Sequence, residues 1–352
     1  MKIAIVGAGY VSDMYVSTLG NHPDLELIGL HDCDAERAKL HSERWSVTKY
    51  DTLNDLLQNS GVEIVLNLTN PRSHFAVTKQ CLEAGKHVYS EKPLGMTVSE
   101  GIQLVELAKS KRVLLASAPC SWLSESAITI RKAIQDGLIG KVRLVYANFD
   151  DGLIAPKLHP WNWHNAAGIP WPAKDEFEVG CTYEHAGYML TWLSYFFGPA
   201  KSISSFASCQ ISDKGIAVDH MAPDFSAGCI TYDDGTVARV TCGLVAPRDK
   251  SLTIVGDDGI IYTDTIRSDV GPIYIQQIPT QGRWGGIERR INRIRSFLEA
   301  CLPSIVWSGR DWQFRKKLPL LGTPPKHLVG RGKPVDFLRG PAEMAASIQE
   351  NR

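Results

Sequence analysis

A glycine-rich turn close to the N-terminus constrains the fold of this chain more than any other feature. Residues 3–6 form an apolar run that predicts a buried strand, residues 7–12 read Gly-Ala-Gly-Tyr-Val-Ser, and residues 14–19 predict a helix. A strand, a glycine turn and a helix in this order are typical of a dinucleotide-binding site. Gly7 permits the tight turn, and Gly9 lets the backbone approach a pyrophosphate at the positive end of the helix. The alternative is a glycine-rich turn that binds nothing.

The third glycine of this pattern is replaced by Ser12, which is small enough for the helix to pack on the strand. Residues 25–30 predict the second strand, and Asp32 lies 23 residues beyond the second glycine, close to the spacing of about 20 expected for a ribose-binding acid. A carboxylate there accepts hydrogen bonds from the ribose and repels a 2′-phosphate. Because the next residue is Cys33 and not arginine, the sequence favours NAD over NADP. A plain N-cap role is the alternative, and it fits Asp34 better than Asp32.

Helical and strand patterns continue to alternate through the first third of the chain. Helices are predicted at about 34–45, 52–59, 74–84 and 97–110, and strands at 47–49, at 62–68, at the start of the stretch 87–95 and at 113–117. This alternation predicts a doubly wound parallel sheet, a Rossmann domain at residues 1–119. Since 352 residues exceed what one hydrophobic core usually serves, residues 120–352 are expected to form a second domain.

The second part of the chain reads mainly as β-structure. Strands are predicted at 141–149, 201–209, 224–232, 236–245, 251–256 and 259–263, and helices at 124–135, 181–196, 285–300 and 341–350. Two Asp-Asp-Gly sequences, at 233–235 and 257–259, supply hairpin turns. We therefore expect an α+β domain with an open, mostly antiparallel sheet, and a last helix that returns toward the first domain.

Composition excludes several classes of function. The 38 basic and 38 acidic residues balance, and no basic run favours nucleic acid or an anionic membrane surface. No apolar stretch approaches the roughly 20 residues that span a bilayer, and the N-terminal run is too short for a signal peptide. The eight cysteines form no Cys-x-x-Cys pair, so neither a metal site nor a disulfide framework is predicted. We expect a cytoplasmic protein.

Two loops that follow strands carry the chemical groups expected at a ligand crevice. At residues 87–95 an apolar strand ends in a turn where Glu91 and Lys92 stand side by side, and Pro93 holds Lys92 out of helical geometry. The carboxyl ends of parallel strands line the crevice of such sheets, and if a cofactor lies along them, chemistry is expected at Lys92. The alternative is an exposed Glu–Lys pair in an ordinary loop.

The other loop follows the fourth strand. Thr69, Asn70 and Pro71 lie at the end of this strand, with His74 close behind. His74 could face the cofactor, or it could simply occupy the first turn of the next helix.

These motifs together resemble the Gfo/Idh/MocA family of oxidoreductases. The resemblance rests on the glycine turn with Gly7, Gly9, Tyr10 and Val11, on Asp32, on Thr69, Asn70, Pro71 and His74, on Glu-Ala-Gly-Lys-His at 83–87, and on Glu-Lys-Pro-Leu-Gly at 91–95. It implies that these residues, Glu91 and Lys92 included, bind NAD, that Lys92 lies beside the nicotinamide and the substrate hydroxyl, and that the Lys92–Pro93 bond is often cis. It also implies a homodimer or homotetramer, built on the open sheet.

The predicted helix 181–196 holds a second group of candidates. Glu184 and Tyr188 share one helical face, and His185 neighbours them. The family helix reads Asp-x-Gly-x-His-x-x-Asp, and counting back from Gly198 places Glu184 at the Asp and Tyr188 at the His. A rotated helix would make His185 the rival, and both side chains could instead be packing residues. A tyrosine, with a reference pKa of about 10, needs a nearby cation to act as a base.

A long loop, residues 157–171, contains three tryptophans and two histidines. Loops of this kind are usually functional or anchored. We expect Trp161, Trp163 and His164 to contact the substrate, since indoles offer flat apolar faces to a sugar ring. A subunit contact or a loop plug is the alternative.

The sequence thus predicts an NAD-dependent dehydrogenase or ketoreductase that acts on a sugar, a sugar derivative or a polyol. Lys92 is the expected acid/base, with its pKa lowered by burial and by the cofactor cation. Glu184 would orient Lys92 or a hydroxyl, and Tyr188 would complete the relay. Two alternatives stay open: transient oxidation that enables glycoside cleavage by a hydrolase or lyase, and a non-catalytic NAD-binding regulator, against which Lys92 argues.

Overall fold

The computed structural model describes residues 1–278, 315–329 and 334–352. Its first sheet has six strands in the order β3-β2-β1-β4-β5-β6, and all neighbours run parallel. The strands are β1 Lys2–Val6, β2 Glu26–His31, β3 Thr48–Lys49, β4 Ile64–Asn67, β5 His87–Ser90 and β6 Leu115–Ser117. The helices that alternate with them are α1 Ser12–Ser17, α2 Ala35–Trp45, α3 Leu53–Gln58, α4 His74–Glu83 and α5 Val98–Lys111. The predicted doubly wound parallel sheet is confirmed.

Local sequence explains where these helices begin and end. Thr52 and Thr97 each form a capping box at the start of α3 and α5, satisfying backbone N–H groups that the helix leaves unpaired. Asp34 caps α2 by accepting from the backbone N–H of Arg37, as the N-cap alternative predicted. The parallel sheet is apolar on both faces, and β4, at its centre, is buried along its whole length.

The second sheet has eight strands in the order β14-β13-β12-β11-β7-β10-β9-β8, and only the β7–β10 pair is parallel. The strands are β7 Val142–Asp150, β8 Ser202–Ser208, β9 Phe225–Thr231, β10 Val237–Gly243, β11 Leu252–Gly256, β12 Gly259–Thr263, β13 Ile273–Gln277 and β14 Lys316–Leu318. The helices of this part are α6 Glu125–Gln135, α7 Ala173–Val179 and α8 Cys181–Phe197. An open, mostly antiparallel sheet is therefore confirmed, with β13, β14 and α7 added to the predicted elements.

The last helix, α9 Arg339–Gln349, packs against the first domain. Its Met344 and Ala345 share a core with Ile3 and Ile5 of β1. The predicted helix at 285–300 lies outside the described residues. Among the helices that the structure does describe, none is long and apolar enough to cross a membrane.

Candidate functional site at the end of the parallel sheet

The glycine turn has the shape that a dinucleotide requires. Gly7 adopts a φ of +94°, and a Cβ there would lie 2.7 Å from the backbone nitrogen of Thr69. A Cβ at Gly9, in contrast, would meet no atom within 4 Å, so the backbone there faces open space. Ser12 is fully buried and its hydroxyl donates to the Gly9 carbonyl at 2.7 Å. The turn is therefore packed against Thr69 at Gly7 and open at Gly9, and the open side fits a pyrophosphate.

Asp32 closes this turn at the end of β2. One carboxylate oxygen accepts from the backbone N–H of Ala8 at 2.7 Å, and the other accepts from that of Asp34 at 2.8 Å. The sequence argument for NAD considered only the neighbouring residue Cys33, whereas the first turn of α2 brings Arg37 Nη1 to 3.8 Å from Asp32.

The loop after β4 is tied to the loop after β5 through His74. Its ring is buried, with Nδ1 2.6 Å from the carbonyl oxygen of Pro93 and Nε2 2.9 Å from that of Thr69. Asn70 is exposed, and Pro71 begins a single 3-10 turn. This geometry favours the second of the two roles predicted for His74, a buried residue of the helix start that positions both loops.

Lys92 joins the two domains at the end of β5. The Lys92–Pro93 bond is cis, as the resemblance implied, and the Lys92 ammonium contacts the carboxylate of Glu184 on α8. The neighbouring Glu91 is buried and points elsewhere: it accepts from the Tyr15 hydroxyl of α1 at 2.7 Å and from the backbone N–H of Lys92 at 3.0 Å. Glu91 therefore anchors the turn, and Lys92 is the charged group that faces the second domain.

The ionisation of Lys92 differs from the expected one. Burial lowers its pKa, but the negative charge of Glu184, with further contributions from Tyr188, Glu91 and Glu176, outweighs burial and raises the pKa above its ordinary value. The expectation of a lowered pKa is therefore wrong for the protein without its cofactor. At neutral pH Lys92 is an ammonium and a proton donor.

Tyr188 is the second proton donor beside Lys92. Its ring is buried and stacks on Phe149, with ring centroids 4.9 Å apart and an interplanar angle of 7°. The guanidinium carbon of Arg267 lies 4.3 Å from the ring centroid. Burial raises the pKa of Tyr188, although the cations of Arg267 and Lys92 oppose the rise. The phenol is protonated at neutral pH.

His185, the rival of Tyr188, belongs to a separate buried cluster. Its Nε2 lies 3.2 Å from a carboxylate oxygen of Glu176 and 3.7 Å from one of Asp151. Burial, helped by the positive charges of Lys92 and Lys250, lowers the pKa of His185 to about 3 despite Asp151. The imidazole is therefore neutral across the physiological range.

The two carboxyls of this cluster differ in ionisation. Burial and the charge of Glu184 raise the pKa of Glu176 well above its usual range. Burial acts in the same direction on Asp151, but the Lys250 ammonium 2.6 Å away, with His185, lowers the Asp151 pKa to about 2. The pKa values of the two carboxyls are therefore shifted in opposite directions within one cluster.

Sequence reasoning missed Glu176, Asp151, Lys250 and Arg267. Asp151 directly follows β7, so the rule that placed Lys92 at a strand end could have found it. Glu176 lies on α7, whose seven residues are too few for a clear helical period. Arg267 lies in an irregular stretch after β12 and carries no sequence signal.

The tryptophan-rich loop packs on the second domain. Trp161 stacks edge-on against Phe177, with ring centroids 6.5 Å apart, and Trp163 lies 5.8 Å from Trp171. His164 is exposed, with its ring beside the carbonyl of its own loop. These contacts favour the loop-plug alternative for Trp161 and Trp163, and within the described chain none of the three residues contacts Lys92.

The tip of this loop instead reaches the first domain. The side-chain amide of Asn165 donates to the carbonyl of Tyr10 at 3.2 Å, where Tyr10 and Val11 lead the glycine turn into α1. Arg44 of α2 donates to the carbonyl of Ala166 at 3.4 Å. The loop thus lies against the segment that would carry the pyrophosphate.

Comparison with known protein families agrees with this geometry. Residues 1–118 match the family described as "Oxidoreductase family, NAD-binding Rossmann fold", and residues 127–262 match the "GFO/IDH/MocA C-terminal domain".

Individual relatives are distant. The trans-1,2-dihydrobenzene-1,2-diol dehydrogenase of Mus musculus is 25% identical over 264 residues, which are 74% of this chain and 73% of the relative. Among solved structures, the aldose-aldose oxidoreductase of Caulobacter crescentus, complexed with glycerol, aligns with a TM-score of 0.74 at 18% identity over 100% of this chain and 90% of its own. The WlbA dehydrogenase of Bordetella pertussis, in complex with NADH and UDP-GlcNAcA, has a TM-score of 0.64 at 17% identity, covering 86% and 83% of the two chains.

Proposed function

The chain belongs to the Gfo/Idh/MocA family of oxidoreductases, and from that premise we propose that it transfers a hydride between a nicotinamide cofactor and a carbinol or keto carbon of a sugar, sugar derivative or polyol. One observation carries the proposal: the Lys92 ammonium stands at the carboxyl end of the parallel sheet and faces Glu184 of the second domain. Ligands of doubly wound sheets bind at that edge.

The residues of the first domain fit the cofactor. Gly7 and Gly9 provide the turn and the open space for a pyrophosphate, and Asp32 stands where an adenosine ribose would lie. Bound NAD would supply the hydride acceptor, or in reduced form the hydride donor. NAD is the proposed preference because Asp32 repels a 2′-phosphate, but Arg37 weakens the discrimination.

Lys92 is the proposed acid/base. Hydride transfer to a keto carbon leaves negative charge on its oxygen, and the Lys92 ammonium can donate the balancing proton. In the oxidative direction the carbinol proton moves the other way, to a Lys92 that has first lost its own proton. Glu184 orients the ammonium, and Tyr188 offers a second donor to the same oxygen.

A hydroxyl-bearing substrate is supported by relatives of different specificity. The relatives named above are a dehydrogenase of a ring diol, an aldose-aldose oxidoreductase, and a dehydrogenase in complex with UDP-GlcNAcA. The test is a screen of polyols, aldoses, UDP-sugars and cyclic diols with NAD and NADP, followed by the absorbance of the reduced cofactor. We expect turnover with at least one class, faster with NAD. Cofactor binding without turnover across the whole panel would favour the regulator instead.

A second candidate is favoured by the tip of the tryptophan-rich loop. Because Asn165 and Ala166 contact Tyr10 and Arg44, the loop can retain a cofactor beneath it. Retained NAD suits transient oxidation, as in a hydrolase or lyase that shows no net change in NADH. Purified protein that already carries NAD, and that cleaves a glycoside without accumulating NADH, would support this candidate.

A homodimer or homotetramer is also proposed. It is supported by large apolar side chains on β8, where Ile203 and Phe206 are 58% and 62% exposed. Light scattering would test it, and a monomer at micromolar concentration would contradict it.

A further inference from the structure

Arg267 has an unusual environment for a half-buried arginine. Its guanidinium carbon lies 4.3 Å from the ring centroid of Tyr188 and 5.6 Å from that of Phe337. Among the residues that the structure describes, no carboxylate pairs with this guanidinium and no hydrogen bond from it is recorded. A charged group so placed normally finds such a partner. The principal partner of Arg267 is therefore the aromatic face of Tyr188.

Tyr188 is clamped between this cation and a second ring. Phe149 stacks on the opposite face, nearly parallel and 4.9 Å away. Phe149 is buried and belongs to β7, and Arg267 follows β12, so both walls of the clamp belong to the second sheet domain. Tyr188 itself is on α8, one helical turn beyond Glu184. The clamp fixes the ring plane beside the Lys92–Glu184 contact.

The adjoining crevice is too small for Arg267 to bind an anionic substrate group there, which is a common role for an unpaired arginine. Arg267, Tyr188 and Glu91 line a cavity of about 20 Å³. This space holds one water molecule and is too small for a carboxylate or phosphate of a substrate. The guanidinium is thus not built as an anchor for an anionic substrate group in this crevice.

We propose that Arg267 is a positioning residue that acts on the reaction through Tyr188: it holds the phenol ring against Phe149 and provides the positive field in which the hydroxyl gives up or regains its proton. The inference rests on the proposed function, since it assumes that Tyr188 exchanges a proton with the substrate oxygen.

The charges around Tyr188 define what the loss of Arg267 should do. Two cations, Arg267 and Lys92, oppose two acids, Glu91 and Glu184, and the phenol of Tyr89 also lies near. Burial is the main cause of the raised Tyr188 pKa, and Arg267 is the leading group that counteracts it. Removal of this cation should raise the Tyr188 pKa further, by about 1 unit for an opposite charge at this distance.

The experiment compares Arg267→Gln with Arg267→Lys and a matched control. Arg131→Gln is the control, because Arg131 is also half-buried and its guanidinium carbon lies 4.1 Å from the ring centroid of a tyrosine. That tyrosine is Tyr195, which lies about two helical turns beyond Tyr188 on α8. Tyrosinate formation is followed by ultraviolet difference titration of each protein without cofactor. The Tyr188 contribution is assigned by subtracting a Tyr188→Phe protein. Steady-state kinetics are then measured over the same pH range.

In Arg267→Gln we expect the Tyr188 transition to move up by about 1 unit and kcat to fall about tenfold at little cost in KM. Arg267→Lys should restore most of the parent's Tyr188 transition and most of its kcat. Arg131→Gln should keep kcat within about twofold of the parent protein. An unmoved Tyr188 transition in folded Arg267→Gln would overturn the inference, and so would an upward shift of the full size, about 1 unit, in Arg267→Lys, which keeps the positive charge. So would a defect limited to KM for anionic substrates.

The titration needs no turnover, so it separates this inference from the proposed function. A shifted transition in a protein that oxidises no substrate would leave the Arg267–Tyr188 coupling intact and refute the proposed function. A shifted transition together with full activity in Tyr188→Phe would refute the role of Arg267 in the reaction.

Discussion

The two walls of the candidate site are built in different ways. The first wall, the turn after β5, is held by side chains bonded to its backbone: Glu91 accepts from the N–H of Lys92, and His74 contacts the carbonyls of Pro93 and Thr69. The second wall, the first half of α8, is held by side chains. Glu184 is paired with a lysine, and Tyr188 is stacked between a ring and a guanidinium.

This difference indicates which wall keeps its shape and which wall changes with its side chains. The bonds of the first wall run from the Glu91 and His74 side chains to the backbone, so they fix the path of the turn and leave the Lys92 side chain free to face the second wall. Side-chain pairs respond to each substitution through charge and packing. The first wall therefore suits the constant part of the reaction, and the second wall suits what differs between substrates.

Among changes to the second wall, exchange of its proton donor should give the largest effect. We expect Tyr188→Phe to lower kcat about 100-fold, since a positioned acid or base contributes about 10²- to 10⁴-fold. His185→Gln should lower it by less than about tenfold, because His185 is neutral and faces Glu176. Steady-state kinetics with saturating NAD measure both. The reverse order of the two variants would make His185 the partner of Lys92.

A smaller effect is expected on the free energy of unfolding, because the charged Asp151 beside His185 helps to hold the second wall. The Asp151 pKa of about 2 lies below its unfolded value, so its ionised form stabilises the fold above about pH 4, and this contribution is lost as the pH falls through 2. Asp151→Asn should lower the free energy of unfolding by about 2 kcal/mol at pH 7 and by about half as much at pH 3.

Urea unfolding at the two pH values measures this difference. Asp219→Asn serves as the control, because the Asp219 side chain is 81% exposed in its pair with Lys174 and should contribute little at either pH. A loss in Asp151→Asn that is the same at pH 7 and pH 3 would show that packing, and not charge, holds this wall.

The smallest effect concerns the loop that crosses from the second domain to the glycine turn. Asn165→Ala removes the hydrogen bond to Tyr10, worth about 1 kcal/mol, together with the bonds from the Ala167 and Ile169 N–H groups that hold the loop tip, so NAD should dissociate at least about fivefold faster. Asn162→Ala, in the same loop, should leave the rate unchanged. Stopped-flow fluorescence measures the release, and equal rates in all three proteins would remove the support for a retained cofactor.

The contrast between the walls also explains how far the sequence could be interpreted. Except for β3, the strands of the parallel sheet are short apolar runs, and except for α1 its helices have a side-chain cap or a glycine end, so local patterns predicted that domain. The role of Glu184 opposite Lys92, 92 residues apart, came from family resemblance, because no local pattern records such a contact. The roles of Arg267 and Glu176 could be assigned only from the side chains that lie beside them in the folded protein.

The pKa of Lys92 shows the same limit. The sequence indicated burial, which lowers the pKa of a lysine, but the carboxylate that reverses the shift comes from a distant helix. The tryptophans of the long loop were predicted to contact substrate from their composition alone, while Phe177 and Trp171, which they pack against, could not be assigned as their partners from the sequence.

The central claim is that the Lys92 ammonium carries the proton of a hydride-transfer reaction. Lys92→Ala tests it most directly, with turnover measured on the best substrate of the screen and NAD binding measured by calorimetry on the same protein. We expect turnover to fall by at least about 1,000-fold while the Kd for NAD changes by less than about threefold. Turnover close to that of the parent protein, with NAD bound, would contradict the account and leave Lys92 as a structural link between the two domains.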